Sequence, residues 1–374
     1  MIKTRLRVLA DENIPHITPG LTDIADVIHM PGRLITANDL AGVDALLIRS
    51  VTSVNAELLA NADRLSFVGS CTIGVDHVDQ SYLTKKGIRF AFAPGCNAPA
   101  VVDYVLAALV AIRPSWFETG SSDKTFGIIG LGAVGKRLRL RLQAMGVQTL
   151  AFDPWVDEAT HRFDQVLGAD VISLHVPLTH ANHSPFPTYH LIDAVAMERI
   201  KPGALLINTS RGAVVDNQSL LEQLQRKAFS AVLDVYEDEP EPQMSLLQAC
   251  DIATAHIAGY SVQGKARGTQ AVLEALADHF NSPSKPIIDM DRLTDNPMLA
   301  CATELRSLIK AAYDIKRDSR RFITAYEQAD DKAVAFDRYR KHYMARHEFS
   351  YQRVSIAPAI QPLARACGFS VDLG

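Results

Sequence analysis

The chain has 374 residues, more than the roughly 250–300 over which one hydrophobic core usually extends, so more than one domain is expected. An apolar fraction of 48% with 21% charged residues excludes a disordered or collagen-like chain. The net charge of −4, from 38 basic and 42 acidic residues, argues against a nucleic-acid-binding scaffold.

A strand-like segment, Arg5–Ala10, opens the chain with no secretory hydrophobic region before it. Further strands are expected at Ala45–Ile48, Ser66–Gly69 and Arg89–Ala91, with helical stretches such as Asn55–Ala60 between them. Pro94, Gly95 and Pro99 punctuate the chain, and Ala100–Ile112 then reads as a helix apolar enough to be buried between layers. Its Val105–Ile112 is the longest wholly apolar run, far short of the ~20 residues of a membrane span. A second strand series follows at Lys124–Gly130, Gln148–Phe152, Asp170–Val176, Ala204–Asn208, Ser230–Asp234 and Asp251–Ala255. Short apolar strands alternating with helical patterns indicate α/β architecture, here two Rossmann-like, doubly wound parallel sheets in tandem. Beyond Pro283 and Pro286 the chain becomes charge-rich, with an amphipathic Arg306–Arg321 and a Tyr/Arg/His-rich Phe336–Phe349. An added α+β domain is expected there. Phe336, Tyr339, Tyr343 and Phe349 suggest an oligomerisation surface, since interfaces favour aromatics. The five cysteines (Cys71, Cys96, Cys250, Cys301, Cys367) are odd in number and widely spaced, which fits reduced thiols in a cytoplasmic protein.

The strongest motif is Gly130-Leu-Gly132-Ala-Val-Gly135, a G-x-G-x-x-G that follows a strand and opens a helical pattern, Lys136–Met145. Gly130 allows the tight turn, Gly132 a close approach to a pyrophosphate, and Gly135 close packing of helix on strand. The next strand ends in Asp153, 18 residues past Gly135, the position of an acid that binds the ribose hydroxyls. Pro154 and Trp155 follow, with no arginine to receive a 2′-phosphate, so NAD is expected rather than NADP. Gly130–Lys136 also fits a P-loop, but Arg137 stands where magnesium would need Ser or Thr.

Three polar segments stand at later strand ends: Asn208-Thr-Ser-Arg211-Gly, Asp234-Val-Tyr-Glu-Asp-Glu239-Pro and Thr254-Ala-His256-Ile-Ala-Gly-Tyr260. In order and spacing they resemble the D-isomer-specific 2-hydroxyacid dehydrogenase family, over residues from about 1 to 280. The resemblance implies a split substrate domain (1–98, flavodoxin-like, completed by 260–285) around a nicotinamide-binding Rossmann domain (99–259). It also implies a catalytic Arg211, Glu239 and His256. Such chemistry needs an imidazole to take the hydroxyl proton, a carboxylate to orient it, and a guanidinium fork for the substrate carboxylate. Leu174-His-Val-Pro-Leu178 is similar to the family's strand end beneath the nicotinamide, which puts Val176 in the cofactor pocket. His175, His180, His183 and His190 crowd this stretch but match no metal-ligand spacing, so no metal is expected.

Further segments resemble one branch of the family: Asp11–Pro15, Arg49–Thr52, Phe67–Thr72, Gly74–Asp79, Ala93–Asn97, Arg211–Asn217 and His256–Gly268. That branch carries a C-terminal dimerisation domain, here 286–374, and acts on a phosphorylated 2-hydroxy acid. By this resemblance Ser50, Thr72 and Tyr260 bind substrate. Thr209, Ser210, Arg211, Asp234 and Gly259 contact the cofactor beside Asp153. The loop at Ser70 and Cys71 departs from the branch pattern. Two alternatives stay open: another member, such as a phosphoglycerate dehydrogenase, and a non-catalytic NAD-sensing scaffold similar to corepressors. The expected partners are a small substrate and a second copy of the chain, with no nucleic acid and no membrane.

Overall fold

The apolar runs of the first hundred residues pair into an all-parallel sheet. In the computed structural model, which describes residues 5–117, 123–283, 285–293 and 299–371, this sheet holds five strands. They are β1 (Leu6–Asp11), β2 (Ala25–Met30), β3 (Ala45–Ile48), β4 (Phe67–Ser70) and β5 (Arg89–Phe92), in the order β2-β1-β3-β4-β5. The first strand lies between the second and third, the flavodoxin-like arrangement. Successive side chains point to opposite faces, so each strand feeds two apolar layers. Val8, Ala10, Leu47 and Phe67 pack with Val272, Leu273 and Leu276 of the helix Val262–His279, while Leu9, Leu46, Ile48 and Val68 pack with Leu40, Val43 and Leu83. Residues 1–97 and 261–295 form this compact unit.

Two expectations change here. β2 has no counterpart in the sequence reading, because its Asp26 and His29 break the apolar pattern; on a sheet edge such residues face water. Asn55–Ala60, expected as a helix, forms isolated turns. The Asn55 side chain accepts the Leu58 N–H at 2.9 Å and Val54 bridges to Val78, so the segment is held in turns too short to propagate a helix.

The second unit, residues 98–260 and 296–374, contains a six-stranded parallel sheet. Its strands are β6 (Thr125–Ile129), β7 (Gln148–Phe152), β8 (Val171–Leu174), β9 (Leu205–Asn208), β10 (Ser230–Leu233) and β11 (Ile252–Ala253). The order is β11-β10-β9-β8-β6-β7, so chain direction across the sheet reverses at β6. Open α/β sheets bind ligands at that switch point, beyond the carboxyl ends of the strands. A parallel sheet needs cover on both faces. The helix Ala98–Ile112, buried almost throughout, covers one, and Leu220, Leu224 and Leu246 pack on the other.

Residues 299–371 complete that cover. They form helices Leu305–Ala312, Ile315–Glu327, Lys332–Lys341 and Gln361–Cys367, with a two-stranded parallel pair, β12 (Leu299–Ala302) and β13 (Val354–Ile356). Phe322, Tyr326 and Phe336 join one apolar layer, and Leu308, Ile309 and Phe349 the other. The short edge strand β11 is capped by this segment: Ser319 Oγ accepts the Ala253 N–H at 3.0 Å. Asp103, the acid within the apolar helix, accepts the Phe349 N–H at 2.8 Å and pairs with Arg141 at 3.2 Å. Burial pushes its carboxyl up to about 7, with Arg141 and the Phe349 N–H opposing the shift. Two of the four tail aromatics, Phe336 and Phe349, depart from the expected interface role. Phe336 and Phe349 are fully buried within the chain's own core, and the Tyr339 and Tyr343 hydroxyls bond to Asp318.

Candidate active site

β6 ends at Ile129, and the chain turns through Gly130 into the helix Ala133–Ala144. Gly130 has φ of +94°, and a Cβ there would meet the His175 carbonyl oxygen at 2.4 Å. A Cβ on Gly135 would lie 1.9 Å from the Gly130 carbonyl oxygen. Gly132 differs: it caps the helix and has nothing within 4 Å of its Cβ position, so space opens in front of the helix N–H groups. Asp153 stands one residue past β7, where Oδ2 accepts the Leu131 N–H at 2.7 Å and Oδ1 the Trp155 N–H at 2.9 Å. Val176, just past β8, flanks Gly130. An open cradle at a helix start, a carboxylate fixed beside it and an apolar flank are what a dinucleotide requires.

The second cluster lies past β9, β10 and β11. Asn208 shapes the first corner: its amide N–H donates to the Arg211 carbonyl at 2.9 Å, and its Oδ1 accepts Ser210 N–H and Oγ–H at 3.0 and 2.8 Å. Thr209 Oγ1 is buried without a hydrogen-bond partner among the described residues, and Gly212 packs where a Cβ would overlap the Tyr236 carbonyl carbon at 1.9 Å. Asp234 organises the next corner. Its Oδ1 accepts Thr254 Oγ–H at 2.6 Å and the Ile257 N–H at 2.8 Å, and its Oδ2 accepts the Ala258 N–H at 2.7 Å. Tyr104 O–H extends the chain to Thr254 at 2.6 Å. Burial raises the Asp234 pKa, although His256 and these donors pull it down. The carboxylate thus holds the backbone from which His256 and Gly259 project.

His256 sits at φ of +54°, its N–H bonded to the Asp234 carbonyl at 2.7 Å. Its Nδ1 donates to Glu239 Oε2 at 2.7 Å, and Glu239 Oε1 accepts the Tyr236 N–H at 3.0 Å. Burial alone would raise the Glu239 pKa, but His256, the two hydrogen bonds and Arg340 outweigh it and hold the carboxyl below its ordinary value. The His256 side chain is 35% exposed, so its second nitrogen is open to a ligand. Within this unit the structure brings together His256, Glu239, Asp234, Gly259 and Tyr260, all expected from the sequence. Thr254, Asn208 and Arg340, which the sequence reading did not assign, join them; Asn208 and Thr254 open the quoted segments and carried the available signal.

In the first unit, Ser50 is exposed past β3, and Thr72 shares a hydrogen bond with Ser70 at 2.8 Å, with His77 beyond at 3.3 Å. Two histidines of the crowded stretch have partners within the fold. His175 contacts Ser173 Oγ at 2.9 Å, and burial pushes its pKa down to about 3, so it stays neutral. His190 stacks on Tyr189 and pairs with Glu237. Among the described residues no cluster of three His, Cys, Asp or Glu side chains is arranged for a metal, and no helix is long and apolar enough to cross a membrane.

The model of the family described as D-isomer specific 2-hydroxyacid dehydrogenase, NAD binding domain, matches residues 111–258, and a domain of unknown function matches 286–365. The chain is 42% identical over 370 residues to the erythronate-4-phosphate dehydrogenase of Pectobacterium carotovorum subsp. carotovorum (strain PC1), covering 95% of each. It is 42% identical over 385 residues to that of Azotobacter vinelandii, covering 97% of this chain and 99% of the relative. Among solved structures, the D-lactate dehydrogenase of Aquifex aeolicus complexed with NAD and lactic acid is 24% identical with a TM-score of 0.62, covering 74% of this chain and 95% of its own. The TT0316 protein of Thermus thermophilus is 26% identical with a TM-score of 0.63, covering 76% and 100%.

Proposed function

This chain belongs to the erythronate-4-phosphate dehydrogenases, a branch of the D-isomer-specific 2-hydroxyacid dehydrogenase family, and from that premise we propose its reaction and the roles of its residues. It oxidises 4-phospho-D-erythronate to (R)-3-hydroxy-2-oxo-4-phosphooxybutanoate with NAD, in the cytoplasm, as a step towards pyridoxal 5′-phosphate. The observation that carries this reading is the His256–Glu239 bond at 2.7 Å on a sheet with an open dinucleotide cradle.

With Nδ1–H donated to Glu239, His256 keeps the lone pair on Nε2 and accepts the C2 hydroxyl proton. Glu239, ionised and buried, favours the imidazolium that results. Arg211 offers its planar fork to the substrate carboxylate and the developing carbonyl oxygen. NAD, when bound, supplies the hydride acceptor. Gly130, Gly132 and Gly135 would hold its pyrophosphate and Asp153 its ribose, Val176 would line its pocket, and Thr209, Ser210, Arg211, Asp234 and Gly259 would contact it. Ser50, Thr72 and Tyr260 bind substrate. Residues 286–374 serve a homodimer, a role supported by the exposed apolar side chains of Val334 and Met344 in this segment.

The test is a substrate panel. Turnover of 4-phosphoerythronate with NAD should exceed that of 3-phosphoglycerate and that with NADP. Preference for 3-phosphoglycerate would instead assign another branch of the family. Light scattering of the full chain reads the assembly, for which a monomer at micromolar concentration is the opposing result.

A further inference from the structure

The helix Lys332–Lys341 delivers Arg340 to the catalytic corner. Its guanidinium carbon lies 5.7 Å from the centre of the Tyr260 ring and 5.8 Å from that of Phe336. The carboxylates of Glu239, Asp234 and Asp337 also face it. Yet the oxygens of Glu239 accept from His256 and Tyr236, and those of Asp234 from Thr254, Ile257 and Ala258. Arg340 Nε is buried without a hydrogen-bond partner among the described residues.

A guanidinium held between two aromatic rings with a donor left idle is costly unless an acceptor arrives. The substrate class proposed above carries two anionic groups. In the proposed reaction Arg211 takes the carboxylate beside the reacting carbon, and Arg340 is a second cation at this corner with a donor to offer the phosphate. Arginine suits phosphate because its donors match two oxygens at once.

We infer that Arg340, supplied by the C-terminal segment beside Tyr260, binds the phosphate of the substrate and is a specificity residue of this site. The inference rests on the reading under Proposed function. C-terminal cover and substrate choice are then one feature: the segment that caps the sheet edge also brings the cation.

The experiment compares wild type, Arg340→Gln and Arg340→Lys in NAD-dependent oxidation of 4-phosphoerythronate and of unphosphorylated erythronate, with NAD binding as the check on folding. The expected result is that the kcat/KM preference for the phosphorylated acid drops about 10- to 100-fold in Arg340→Gln, carried by KM. Arg340→Lys should recover part of it. Equal losses for both acids, or a loss confined to kcat, would overturn the inference and leave Arg340 shaping the corner alone. Calorimetry with inorganic phosphate separates this from the reaction itself. Weaker phosphate binding in Arg340→Gln supports the inference whatever substrate is turned over, and equal binding overturns it. A wild type that does not oxidise 4-phosphoerythronate counts against the proposed reaction instead.

Discussion

The cofactor turn and the catalytic corner stand on the same sheet but are built by opposite means. Gly130–Gly135 is six consecutive residues whose geometry comes from absent side chains: two positions where a Cβ would strike a carbonyl oxygen, and one left open. The corner draws on β9, β10, β11 and the Lys332–Lys341 helix, and it is held by buried side-chain hydrogen bonds centred on Asp234. A local turn tolerates almost no change in shape and little depends on its charges. A corner assembled from distant segments keeps its shape under conservative change but depends on every charge within it.

The most severe test strikes the corner's chemistry. His256→Ala should lower kcat by about 10²–10⁴, the usual worth of a positioned general base, while NAD binding measured by calorimetry stays near wild type. Glu239→Gln comes next. It keeps a hydrogen bond and removes a charge, at a cost of about 1.5–3 kcal/mol in imidazolium stabilisation. Its kcat should fall tenfold or more. NAD affinity should stay near wild type, because the charge removed belongs to the proton-transfer pair. A kcat that stays near wild type would break the pairing. Glu239 has a depressed pKa when folded, so its contribution to stability is present above the ordinary carboxylate range and fades as pH falls through the folded value.

Gly135→Ala addresses shape alone. A methyl group 1.9 Å from a backbone oxygen forces the turn apart, and overpacking of this kind costs about 1–3 kcal/mol. NAD affinity should drop by up to about a hundredfold, with the His256–Glu239 chemistry intact at saturating cofactor. Asp153→Ser should weaken NAD about tenfold and narrow its advantage over NADP, read from the ratio of the two KM values. Asp103→Asn gives the smallest effect, on stability. A carboxyl whose pKa is raised to about 7 on folding adds stability below the ordinary carboxylate range and loses it as pH rises through 7. Wild-type Tm should therefore fall between pH 5 and 8 more than that of the variant. Parallel curves would mean that Asp103 does not titrate there.

The two regions also differ in how far sequence alone reveals them. The glycine turn, the Asp153 acid and the apolar strands at Ala45–Ile48 and Gln148–Phe152 are visible because each is a contiguous pattern with a local cause. β2 escapes because an edge strand with polar residues lacks that pattern, and Asn55–Ala60 misleads because a short helical pattern cannot overcome Asn55's turn. Asp234 reads as a cofactor contact from the sequence, but the bonds by which its oxygens hold Thr254, Ile257 and Ala258 are visible only in the fold. Phe336 and Phe349 read as interface residues because burial within the chain cannot be seen from residue type.

Strand periodicity and glycine backbone freedom act over a few residues, so the α/β class and the dinucleotide turn are legible in the residues themselves, while Arg211, Glu239 and His256 are picked out by resemblance to the family. That Asp234 anchors the His256 loop, that Ser319 caps β11, and that Arg340 reaches Tyr260 from 80 residues away in the chain is visible in the folded chain alone. The physical reason is distance along the chain. Burial, ion pairing and the satisfaction of edge-strand hydrogen bonds come from segments that meet only once the core has closed.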